Sequence, residues 1–179
     1  MRTAIGSLPS AISGYQPIAD SRSFSVRVVL RVVGKPRHVG LAAAIEDYEK
    51  RAARYWPLDV SEVREESGRA GSADLVRDRE AARLVDTIPS GAHVVACELT
   101  GRRMTSEEFS AWLQQERERP RDVVFLIGGA AGLGPAARAR SSTMLALAPW
   151  TLPHELARLV LAEQLYRAGT IVRGEPYHK

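Results

Sequence analysis

Three stretches of this chain, VRVVLRVVG at 26–34, HVVACEL at 93–99 and DVVFLIGG at 122–129, are apolar almost without interruption and rich in β-branched residues. A strand with one face in water alternates polar and apolar residues, so runs of this kind read as strands buried on both faces. Two further strands are expected at LDVSEVRE and MLALAP. Between them lie segments of helical period: LAAAIEDYEKRAARY, LVRDREAARLVDTI, TSEEFSAWLQQERE with Thr105 or Ser106 as cap and Glu108 placed for a capping box, the short PAARARSS, and PHELARLVLAEQLYRAG, expected to close at Gly169. Strands alternating with helices predict an α/β fold, a mostly parallel sheet covered by helices on both faces. Ligands of such sheets bind beyond the carboxyl ends of the strands.

The chain has 179 residues, enough for one core. Residues 1–24, rich in Ser, Gly and Pro and without either period, are expected to be a flexible N-terminal extension: a transit peptide, an over-long translation start or a disordered arm. The folded domain is then 25–179. A single cysteine, Cys97, excludes a disulfide framework and a cysteine-rich zinc cluster, and implies a reducing cytoplasm. The four histidines form no HExxH pair, so no metal is expected. No apolar run reaches the roughly 18 residues of a membrane span. The formal net charge is +4, and residues 21–40 hold five basic residues and no acid. Of these, Arg27, Arg31, Lys35 and Arg37 could contact phosphate or form an ordinary solvated patch.

FLIGGAAGLG suggests a phosphate-binding loop, yet Gly128, Gly129, Gly132 and Gly134 do not spell GxGxxG and no GK[ST] follows. The last third is more specific. A strand ending in Gly128-Gly129 is followed by AGLG, a short helix, LALAPWTLPHELARLVLAEQLYRA and the terminal RGEPYHK. This order resembles the SPOUT-class methyltransferases, and within them the ribosomal RNA large subunit methyltransferase H family, which modifies N3 of a pseudouridine in 23S rRNA. The resemblance spans about Val26 to Lys179 and is most specific from Asp122 onward.

The resemblance implies a C-terminal deep trefoil knot, something no periodicity could indicate because chains normally avoid knots. It also implies S-adenosyl-L-methionine as cofactor, bound through the backbone at Cys97, at Gly128, and at Leu147, Ala148, Pro149, Trp150, Thr151 and Leu152. Cys97 stands where the family commonly has Leu, and Pro149 lacks an amide N–H another residue would offer. A homodimer acting on 23S rRNA within the ribosome is implied as well. For chemistry, Arg158 or Arg167 could stabilise a developing ring anion, and Tyr177 and His178 of the tail could stack on the base and handle a proton. His154 suits a structural hydrogen bond better than catalysis, and Glu163 with Arg167 could be a surface pair four residues apart. A non-catalytic RNA-binding or ribosome-assembly factor with the same fold is the alternative. An NAD-linked oxidoreductase lacks its fingerprint.

Overall fold

The computed structural model describes residues 26–67 and 71–178, so the extension expected over 1–24 lies outside the described residues. Strands β1 (Val28–Val33), β2 (Leu58–Val63), β3 (His93–Arg102), β4 (Val123–Ile127) and β5 (Thr143–Leu145) form one sheet in the order β2-β1-β4-β3-β5. Every neighbouring pair is parallel. In the central register Leu30 and Val95 flank Phe125, so the three form one row across the sheet.

Successive residues point to opposite faces of a strand, and both faces here are apolar. On one, Val28, Leu30, Val32, Phe125 and Ile127 pack against α1 (Val39–Ala52), α3 (Ser106–Arg117) and α5 (His154–Val172), which contribute Ala52, Phe109, Leu113, Leu161 and Leu165. On the other, Val29, Val33, Val94, Ala96, Val124 and Leu126 meet α2 (Ala73–Val85) and α4 (Pro135–Arg140) through Ala81, Leu84 and Ala137. The expected parallel sheet covered on both faces is thus the one observed. The capping box at α3 also forms: the Thr105 hydroxyl accepts from the Glu108 N–H, and the Glu108 carboxylate accepts from the Thr105 N–H.

Arg31 departs from its expected role. It projects from β1 into the layer below α2, is 7% exposed, and donates to the Thr87 hydroxyl and, at 3.1 Å, to the Arg83 carbonyl. A guanidinium buried in this way cannot reach a phosphate backbone. Arg27 is held by Asp122 and Arg37 by Glu65, so two more of the four basic residues are already paired.

The end of α5 also differs from expectation. The helix runs through Gly169 because that glycine packs against Tyr55 of the α1–β2 connection; a Cβ there would overlap the Tyr55 ring. Closure falls instead at Gly174, which adopts φ +67°. Its N–H donates to the Ile171 carbonyl at 3.0 Å and that of Glu175 to the Thr170 carbonyl at 2.9 Å, the paired bonds of a Schellman cap. Replacing Gly169 with Ala should therefore overpack this contact and cost about 1–3 kcal/mol, read as a lower denaturation midpoint in urea at unchanged slope.

Candidate active site

At the carboxyl ends of β3, β4 and β5 lies a cleft of about 690 Å³. Its first wall comes from an irregularity in β3. Cys97 and Arg102 both pair with Leu145, so residues 98–101 loop out of the ladder. Gly101 makes this possible: a Cβ would stand 2.6 Å from the Met144 and Leu145 carbonyl carbons. The second wall is the turn after β4, where the Gly132 N–H donates to the Gly129 carbonyl at 3.0 Å and Gly132 takes φ +79°. A Cβ on Gly128 would come within 2.6 Å of the Gly132 carbonyl carbon, so this close passage of backbone on backbone requires glycine. The third wall follows β5, which ends at Leu145 rather than continuing through MLALAP. The Ala146 N–H turns to the Arg102 carbonyl at 3.0 Å, and residues 147–154 leave the sheet to reach α5.

Of the residues expected to bind cofactor, Cys97, Gly128, Leu147, Ala148, Trp150, Thr151 and Leu152 line this one cleft, and Pro149 lies off its lining. Three stretches far apart in the chain are thereby brought together. His154 and Ala157 at the start of α5 complete the wall. Burial pushes the Cys97 thiol up to about 12, so it stays neutral and acts as apolar wall rather than nucleophile. Glu98, also lining the cleft, is neutralised by Arg138 of α4 across 2.7 Å. Trp150 is 67% exposed and offers a broad aromatic face at the rim. The lining is rich in glycine and apolar side chains, with backbone groups available to read a heterocycle edge, a combination that fits S-adenosylmethionine.

Of the four residues expected to do chemistry, Arg158, Arg167 and Tyr177 lie off the lining of the cleft, and the His178 side chain lies outside the described residues. The Arg158 side chain is drawn into the layer between α5, α1 and β2, where it donates to Glu49 at 2.7 and 3.2 Å and to Glu62 at 2.7 Å. Burial works to lower its pKa, and the hydrogen bonds it donates to Glu49 and Glu62 outweigh that and raise it. Arg167 and Tyr177 lie together at the far end of α5, about 20 Å from His154 at 1.5 Å rise per residue. Arg167 donates twice to Glu163, at 3.0 and 2.5 Å, and its guanidinium stands 4.9 Å from the centre of the Tyr177 ring. The Tyr177 hydroxyl donates to Glu163 at 3.2 Å and lies 3.3 Å from that of Tyr48. Burial first, then the bonds to Tyr48 and Glu163, hold that phenol above its ordinary pKa. His178 follows in a single 3-10 turn, Pro176–His178. The tail is anchored besides by a bond from the Tyr55 hydroxyl to Glu175.

Sequence reasoning did not single out Glu49, Glu62, Tyr48 or Arg138. Each acts through a partner about 40 to 130 positions away, and local spacing carries no trace of such a pairing. Among the described residues no group of three or more potential ligands is placed to hold a metal, and no helix is long and apolar enough to cross a membrane.

A family model described as "Predicted SPOUT methyltransferase" matches residues 26–178, which gives the sheet and its carboxyl-end cleft their class. The chain belongs to this family, and its relatives carry one more specific name. "Ribosomal RNA large subunit methyltransferase H" of Gemmatimonas aurantiaca is 66% identical over 154 residues, covering 86% of this chain and 100% of the relative. Proteins of the same name from Geobacter sp. (strain M21) and Listeria monocytogenes are each 40% identical, covering 86% of this chain and 99% and 100% of theirs. Solved structures of similar shape include a probable methyltransferase from Bordetella pertussis, with TM-score 0.49 and 14% identity over 81% of this chain and 97% of that one. Another is the SpoU methyltransferase AviRb of Streptomyces viridochromogenes in complex with the cofactor AdoMet, with TM-score 0.44 and 16% identity over 84% and 60%.

Two outcomes follow from the buried groups. Arg158→Ala should strand two carboxylates and lower stability by about 3–5 kcal/mol in urea unfolding, so lost activity in that variant must be judged against lost fold. Cys97 should resist iodoacetamide at pH 8 in the native protein and react in urea, with the adduct counted by mass spectrometry, because the native thiolate is scarce far below pH 12.

Proposed function

We propose that this methyltransferase transfers a methyl group from S-adenosyl-L-methionine to N3 of a pseudouridine in 23S rRNA, in the cytoplasm, as a homodimer acting on assembled ribosomes. The observation that carries this reading is the convergence of Cys97, Gly128 and the 147–152 segment on one cleft in a chain whose relatives bear a ribosomal RNA methyltransferase name.

When bound, the cofactor supplies an electrophilic methyl on a sulfonium. Cys97, Gly128 and the residues of 147–152 that line the cleft would hold the cofactor by backbone and apolar contact, which would pre-align the reacting atoms and lessen the entropy lost at the transition state. The N3–H proton must leave as the N–C bond forms. Arg167, beside Tyr177, offers a cation for the charge that develops on the ring, and His178 can take a proton near neutral pH. Arg158 holds α1 and β2 to α5 and so sets the helix on which the others stand. Since the tail lies at the opposite end of α5 from its own cleft, a second copy would have to present its tail to this cleft, which favours the homodimer.

Labelled methyl transfer to ribosomes lacking the modification, with free 23S rRNA beside them, tests the reading. Incorporation at a pseudouridine N3 on ribosomes is expected. No incorporation together with no cofactor binding would favour the assembly-factor alternative. Deleting residues 174–179 should leave cofactor binding nearly intact and abolish transfer; full activity of the shortened protein would remove the tail from the chemistry.

A further inference from the structure

One buried carboxylate takes no part in the chemistry described so far. Glu80, in the middle of α2, is 2% exposed and forms no ion pair among the described residues. Its Oε1 accepts the Glu66 N–H at 3.0 Å, while its Oε2 accepts nothing among the described residues. That orphaned oxygen is aimed at the glycine turn of the cleft: a Cβ on Gly129 would stand 2.6 Å from it. Gly128, Gly129 and Ala130 all line the cleft, so Oε2 lies directly behind its wall. The same helix supports the rest of the turn, since a Cβ on Gly134 would come within 2.7 Å of the Arg77 carbonyl oxygen and 2.8 Å of the Ala81 Cβ.

A buried acceptor left without a donor is a standing cost, larger for a carboxylate than for a neutral group. The wall it faces is the glycine turn, where Gly129 leaves backbone rather than a side chain against Oε2. We infer that Glu80 is a positioning residue for the cofactor: when adenosine seats against Gly128, the turn over 129–131 settles so that one of its N–H groups donates to Oε2. The inference rests on the cleft being the cofactor site. Glu80 touches no reacting atom; it sets the shape of the wall that does.

The isosteric Glu80→Gln tests this directly. The amide oxygen can keep the Glu66 N–H, while an NH2 replaces the orphaned acceptor and opposes any N–H of the turn. Because Oε2 accepts no bond among the described residues, the substitution should not lower the melting temperature of the protein without added cofactor. Calorimetric Kd values for S-adenosylmethionine and for S-adenosylhomocysteine should both rise about tenfold, since the adenosine half is common to them. The KM for S-adenosylmethionine should rise with them while kcat at saturating cofactor stays unchanged, as expected when uniform binding is lost. A structural role alone would lower the melting temperature and leave Kd where it was. Glu80→Asp, which keeps the charge and withdraws it by one methylene, should weaken both ligands in the same way and serves if the Gln variant does not fold. Unchanged affinity in either folded variant, or an affinity loss seen only where the melting temperature also falls, would overturn the assignment. Failure of the wild type to bind either ligand would instead overturn the methyltransferase reading beneath it.

Discussion

A parallel sheet with apolar residues on both faces has no side to turn to water, and the rest of this molecule answers to that constraint. Strand β4, flanked by β1 and β3, is buried along its whole length. Each parallel neighbour must be reached by a crossover, and the crossovers supply the helices that close the two faces. All carboxyl ends then lie on one rim, where turns rather than helices meet. A cleft lined by backbone is the natural product of such a rim: the glycines at 101 and 128 let chain approach chain closely enough to form it, and Gly132 supplies the positive φ of its turn.

Polar burial follows the same logic in reverse. Two of the charges buried beneath the helices are met within the layer: Arg158 by two glutamates, Arg31 by a hydroxyl and a carbonyl. Glu116 likewise is held by Arg119 and Arg121, both at about the distance of a charge-assisted bond. Such groups contribute less to net stability than apolar replacements of equal volume could, but they fix which helix lies over which strand.

Much of this architecture was legible in the amino-acid order. The long β-branched runs specify buried strands because nothing else accommodates them, and Thr105 with Glu108 marks a helix start through a purely local exchange of hydrogen bonds. The closure of α5 was less legible, because two glycines compete. Gly169 is needed for the room it leaves Tyr55, a contact between positions far apart, whereas Gly174 alone takes the left-handed conformation that ends a helix. The role of Arg31 was hidden for a similar reason: its charge pattern is that of a basic patch, and only tertiary packing turns it inward. Of the residues that the family resemblance assigned to the cofactor, all but Pro149 gathered at the cleft. Arg158, Arg167 and Tyr177 did not: Glu49 and Glu62 draw the first away from the start of α5, and the other two stand toward its far end, pairings and distances that no local spacing records.

Tyr55 joins three of these threads. Its ring lies against the bare backbone of Gly169, Arg173 stacks over it with the guanidinium carbon 4.5 Å from the ring centre, and its hydroxyl, with a pKa raised to about 12 chiefly by the bond to Glu175, holds the tail. Positions 55, 169, 173 and 175 are consequently not free to drift one at a time. A lineage that shrinks the aromatic ring leaves room for a side chain at 169 and releases the acid at 175. The variation among relatives at these four places should therefore move as one unit, and the orientation of the terminal segment is inherited with it.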